Sequence, residues 1–292
     1  MSSVPILNAS GCLDALTAPD VARTLDAFVT KTVTPLPREG NPPPRITETE
    51  HGMLNSIGLQ NPGIDAFLAQ TLPRLRYLDI PIWVSVGGFS AKDFALVCEH
   101  LDSHNEVVTV ELNLSCPNVE EAPETARELV AAARAATRKP LYAKLSPATW
   151  DIADSARAVA DAGADGLSLV NTIRGLALES VTLAPGIATG LGGYSGPALR
   201  PVALACVFAC ASAVDLPIVA MGGVANGRDA LEFVAAGASA VALGTVLFSD
   251  PSAAGRVREE LEREAVSLGY PSAVAARGTA LRTPAFAGLS SF

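Results

Sequence analysis

Along the chain, short apolar runs alternate with longer stretches in which apolar residues return every three or four positions. The short runs suit strands buried on both faces, and the longer stretches suit amphipathic helices laid over them. The strand candidates are Pro5–Ser10, Ala27–Lys31, Ile82–Val86, Val107–Asn113, Leu141–Leu145, Gly166–Asn171, Pro217–Gly222 and Ala240–Gly244. Helical patterns lie at Ala18–Asp26, Ile64–Leu75, Lys92–Leu101, Pro123–Thr137, Ile152–Ala162, Gly196–Val214, Gly227–Ala236 and Pro251–Leu268. Ala162-Gly163-Ala164 and Ala236-Gly237-Ala238 read as helix ends that release the chain into the next strand. Eight strands alternating with eight helices predict an α/β fold: a (β/α)8 TIM barrel with inserted loops at its C-terminal face, residues 1–292 forming a single domain. A doubly wound sheet is the alternative, and it would lack the G-x-G-x-x-G turn expected after its first strand.

Two insertions break the repeat. Val33–Pro62 is too rich in Pro and Gly to be helical, and Thr172–Ser195 carries Gly190, Gly192 and Gly193 near its end. Both follow strands, so both belong to one face of the barrel, and loops this long in a compact domain are usually functional.

Composition removes several function classes. With 49% hydrophobic residues the chain can bury a sizeable core, and a net charge of −9 leaves no basic stripe for nucleic acid. No basic and apolar leader precedes Asn8, and the longest apolar stretch, Val202–Val214, is too short to span a bilayer, which points to the cytoplasm and no membrane partner. The five cysteines are odd in number and scattered, against disulfides or a zinc site; Cys98, Cys206 and Cys210 read as small core residues. His51, His100 and His104 lack ligand spacing, so no metal is assigned.

Barrel active sites form at the C-terminal strand ends. Here those ends read Ser10, Lys31, Ser85, Asn113, Lys144, Asn171, Gly222-Gly223 and Gly244-Thr245, nearly all polar or glycine. Glycine pairs after the seventh and eighth strands suit a phosphate held by backbone N–H groups; tight βα turns are the plainer use of the same residues. After the fourth strand, Asn113-Leu114-Ser115-Cys116-Pro117-Asn118 places a thiol between two carboxamides, in a turn that Pro117 keeps from continuing as strand or helix.

These residues resemble the class 1 dihydroorotate dehydrogenases. The likeness runs from Ala9-Ser10-Gly11-Cys12 to the helix after Thr245 and rests on the Asn113–Asn118 motif, Gly52-Met53-Leu54-Asn55-Ser56-Ile57-Gly58-Leu59, Arg38-Glu39-Gly40-Asn41-Pro42, Val170-Asn171-Thr172 and the glycine pairs. It implies FMN as cofactor and oxidation of (S)-dihydroorotate to orotate. It implies Cys116 as catalytic base, with Lys31 between flavin and substrate. Substrate contacts would come from Asn55, Ser56, Ile57, Gly58, Leu59, Asn113, Asn118, Asn171 and Thr172. FMN contacts would come from Ser10, Thr32, Ser85, Asn113, Lys144, Val170, Gly196, Gly222, Gly223, Gly244 and Thr245. Ser85 stands where the family usually has asparagine, the segment Val119–Pro123 is shorter than in the NAD-linked subclass, and the hairpin under the barrel is missing.

The resemblance also implies a homodimer and, in the NAD-linked subclass that the Gly192–Ala198 and Met221–Gly227 stretches most resemble, a partner subunit carrying FAD and an iron–sulfur centre. Fumarate as acceptor, a flavoenzyme for another pyrimidine, a protein that binds FMN without turnover, and a flavin-free barrel lyase using Lys144 as Schiff base are the rival readings.

Overall fold

The computed structural model describes residues 3–114 and 123–282. Twelve strands are described: β1 (Ile6–Asn8), β2 (Phe28–Val29), β3 (Ile46–Thr49), β4 (Gly52–Asn55), β5 (Ile82–Val86), β6 (Val107–Asn113), β7 (Leu141–Leu145), β8 (Gly166–Leu169), β9 (Ile173–Gly175), β10 (Gly192–Ser195), β11 (Ile218–Ala220) and β12 (Ala240–Leu243). Eight form a parallel sheet in the order β1-β12-β11-β8-β7-β6-β5-β2. A bridge between Leu7 and Ala27 closes it into a barrel. At that seam the Asn8 carboxamide substitutes for ladder bonds. Its Nδ2 donates to the Val29 carbonyl at 2.8 Å, and its Oδ1 accepts from the Val29 N–H at 2.8 Å.

Strands β5, β6 and β7 span the predicted residues, whereas β1, β2, β8, β11 and β12 stop earlier. Ser10, Lys31, Asn171, Gly222 and Gly244 therefore sit just beyond the ladder, where the chain splays into the loops of the mouth.

Most helices match their patterns, with local causes for their ends. Asp151 accepts from the N–H groups of Ala153 and Asp154, and Asn226 accepts from that of Asp229, both as N-caps. Gly163 and Gly237 take positive φ, and the bonds from Ala164 N to Val159 O and from Ala238 N to Phe233 O complete the helix-ending turns. The helix expected at Ile64–Leu75 widens to a π turn over Phe67–Thr71. Pro73, two residues on, has no N–H to give the Ala69 carbonyl and would crowd it in a regular helix.

The two insertions are not plain loops. The first folds into the hairpin β3-β4, the second contributes β9 and β10, and they pair antiparallel as β3-β4-β10-β9. Asn55 lies opposite Gly193 in this small sheet. Strands more than a hundred residues apart thus form one cap over the barrel mouth.

Candidate active site

The strand ends and the cap enclose a cavity of about 1370 Å3. From the barrel it is lined by Ser10, Lys31, Thr32, Asn113, Lys144, Val170, Asn171 and Thr172; the first insertion adds Asn55, Ser56, Ile57, Gly58 and Leu59; Gly196, Gly222, Gly223, Gly244 and Thr245 line the remaining side. Cys116 and Asn118 lie outside the described residues, as does the Val119–Ala122 part of the shortened segment.

Ser85 departs from expectation. It is fully buried and absent from the lining, and its hydroxyl lies 3.1 Å from that of Thr32. Its side chain is too short to pass Thr32, so it supports the mouth from below.

A hydrogen-bonded chain orders the polar groups. Asn171 Oδ1 accepts from the Thr172 N–H at 2.9 Å, Asn171 Nδ2 donates to Asn113 Oδ1 at 2.9 Å, and Asn113 Nδ2 donates to Thr32 Oγ1 at 3.2 Å. These bonds fix which way each carboxamide presents its donor and acceptor.

The field in the cavity is positive. Lys31, Lys144, Arg38 and Arg174 line it, and among the described lining residues there is no Asp, Glu or His. In a chain of net charge −9 such a mouth draws anions. Lys31 packs over Gly11, where an added Cβ would come within 3.2 Å of its Nζ. Burial holds the Lys31 ammonium below its ordinary pKa, with Lys144 and Arg45 acting in the same direction and Cys12 against it. Burial likewise pushes the Cys12 thiol up, against the pull of Lys144 and Lys31. Cys98 and Cys210 are pushed to about 12 and Cys206 to about 11, so these core thiols stay protonated at neutral pH.

The glycines divide into two kinds. Gly222 and Gly223 have φ of +114° and +89°, and a Cβ on either would come within 2.8 Å of Ala203 or Arg200, so the chain's own packing demands glycine. Gly244 has no positive φ, and its nearest neighbours, Ala9 and Cys12, would lie 3.6 Å from a Cβ. Nothing among the described residues requires glycine there. The amides of Gly223, Gly244 and Thr245 have no acceptor among the described residues. Arg200, next to Gly223, is engaged by Asp229 and Glu232, so the donors at this corner include backbone N–H groups rather than a free guanidinium.

A family model described as dihydroorotate dehydrogenase matches residues 3–265. The chain belongs to the dihydroorotate dehydrogenase family. It is 45% identical over 271 residues to a protein of Citrifermentans bemidjiense named dihydroorotate dehydrogenase B (NAD(+)), catalytic subunit, covering 89% of this chain and 88% of that one. A protein of Fusobacterium nucleatum with the same name is 41% identical, with 95% of each chain covered. The solved structure of DHODH from Eimeria tenella in complex with ferulenol has the same fold, with a TM-score of 0.81 at 24% identity over 96% of this chain and 86% of that one. Like the rest of the family, the chain is an oxidoreductase.

For a dihydroorotate dehydrogenase, the mouth holds residues that sequence reasoning passed over. Cys12 and Ser195 line it, and Ser195 Oγ accepts from Thr245 Oγ1 at 3.0 Å. Glu111 lies beneath it, 3.7 Å from Lys144. A charged residue inside an otherwise apolar strand was a readable signal for Glu111. Cys12 carried none beyond its nearness to the first strand end. Among the described residues no group of acidic, His or Cys side chains could hold a metal, and no helix is long and apolar enough to cross a membrane.

Proposed function

We propose that this chain oxidises (S)-dihydroorotate to orotate in pyrimidine biosynthesis, with FMN seated in the mouth cavity and electrons leaving to NAD through a partner subunit carrying FAD and an iron–sulfur centre. The observation that carries the reading is the cavity floor: two lysines and two hydrogen-bonded carboxamides stand together, with no acidic group among the described lining residues. The fit to FMN is chemical. The room at Gly244 and the unpaired amides of Gly223, Gly244 and Thr245 suit a phosphate held by backbone donors, and Lys144 at the floor suits an electron-rich ring.

FMN, when bound, supplies the hydride acceptor. The chain's own residues do the rest. Asn55, Asn113 and Asn171 each offer a donor and an acceptor to the amide edge of a dihydropyrimidine, joined by Asn118 on the strength of the family motif. Lys31 faces the substrate carboxylate. Cys116 takes the proton from the carbon beside the one that loses hydride, and its thiolate is the active form. The cap, which sets Ile46 and Met53 in the lining, helps exclude water from the reacting carbons. In this reading the enzyme is a cytoplasmic homodimer with its electron-transfer partner attached.

Anaerobic addition of dihydroorotate to the purified, yellow protein tests it. The flavin should bleach in one turnover, and colour should return with NAD only when the FAD and iron–sulfur partner is present. Return with fumarate alone would assign the fumarate-linked chemistry instead. A colourless protein with no FMN uptake, or a flavin that stays yellow, would sink the proposal.

A further inference from the structure

Glu111 sits on β6 two residues before Asn113, so both side chains share the barrel-lumen face, with Glu111 the deeper. It is 1% exposed, its Oε1 accepts no hydrogen bond, and its ion pair is with Lys144 on the neighbouring strand β7, at 3.7 Å. That distance is too long for a hydrogen bond, so the attraction is that of two charges in a low-dielectric interior. Its register partner across β5 is the neutral Ser85, and that of Lys144 across β8 is Ser168, whose buried hydroxyl is also without a partner. A carboxylate left unsatisfied here contributes little to stability compared with an apolar side chain. Its orientation toward Lys144 is what distinguishes it.

We infer that Glu111 is a positioning residue whose carboxylate fixes the Lys144 ammonium at the cavity floor, so that the pair, rather than Lys144 alone, sets the charge presented to bound flavin. The inference rests on the FMN reading for its functional half only.

The structural half is tested on ligand-free protein with a double-mutant cycle of Glu111→Gln and Lys144→Met, read as thermal midpoints. Lys144→Met strands the buried carboxylate and lowers the midpoint; Glu111→Gln in that background raises it again, while Glu111→Gln alone does not raise it. Additive effects would overturn the pairing. The functional half is the midpoint potential of bound FMN. Removing the negative charge favours the reduced flavin, and Glu111→Gln should raise the ratio of reduced to oxidised FMN affinity about tenfold, or about 30 mV for a two-electron couple. Glu111→Asp keeps the charge and should stay near the wild-type potential, as should Ser168→Ala, which removes an equally buried oxygen but no charge. An unchanged potential in Glu111→Gln, or an equal shift in Ser168→Ala, would overturn the proposal. If the wild-type protein takes up no FMN, the FMN reading fails while the stability cycle still decides the pair.

Discussion

The two halves of the barrel lumen answer to different demands. In the lower half, Leu7, Ala27, Val29, Val219, Ala240 and Ala242 pack with Trp83 and Tyr142, whose ring centres lie 4.6 Å apart. Gly166 is glycine there because the Tyr142 ring occupies the place of a Cβ, 2.3 Å away. Each residue is explained by its neighbours. In the upper half, Lys31, half-buried and without a carboxylate partner among the described residues, and Gly244, a glycine with room around it, are not explained by packing. The ligand proposed for the cavity accounts for both. Changes below should therefore move stability and leave binding alone, whereas changes at Lys31 and Gly244 should lower binding without lowering stability.

The largest test is Cys116→Ala. Flavin reduction by dihydroorotate in stopped flow should slow about 10²- to 10⁴-fold with FMN still bound; reduction at the wild-type rate would remove Cys116 from the chemistry. Next comes Lys31→Met, which should weaken orotate binding about 100-fold, measured by titration of the flavin spectrum, and yet raise the melting temperature at pH 7. A loss of both would break the contrast between the halves. Below the mouth, Gly166→Ala overpacks the Tyr142 ring and should cost about 1–3 kcal/mol in denaturant unfolding, with FMN affinity of the folded fraction unchanged. Gly244→Ala should show the mirror image, FMN affinity down about tenfold with the melting temperature nearly constant.

The smallest effect is a pH dependence, and its sign follows from Lys31. Its folded pKa lies below 10.5, so the unfolded chain binds more protons in the window between the two values. The burial penalty is fully present below the folded pKa and is relieved as pH rises toward 10.5. The stability advantage of Lys31→Met should thus shrink across that window, while orotate affinity of the wild type falls over the same range. Cys116 acts oppositely, since its thiolate is the active form and flavin reduction should climb with pH as the thiol ionises.

Much of this was legible beforehand. Strands β5, β6 and β7 could be read to the residue because runs buried on both faces leave a continuous apolar signal, as with Ile82–Val86. Lys31, Lys144, Asn113 and Asn171 could be brought to one mouth because a barrel gathers its strand ends there. Ser85 could not be judged from its place at a strand end, since whether a short side chain reaches a cavity depends on what stands over it, here Thr32. The glycines after β11 and β12 looked alike in the sequence. Only their dihedral angles and neighbours separated Gly222 and Gly223, required by the backbone, from Gly244, which is not.

The sequence by itself determined the repeat, the closed sheet it implies and the polar character of one end, because periodicity and strand-end chemistry are local properties written in consecutive residues. Tertiary structure alone decided the cap, where Asn55 meets Gly193, and the pairing of Glu111 with Lys144. Both depend on which distant residues share a register or a lumen layer, and a pairwise distance has no trace in the pattern of either partner.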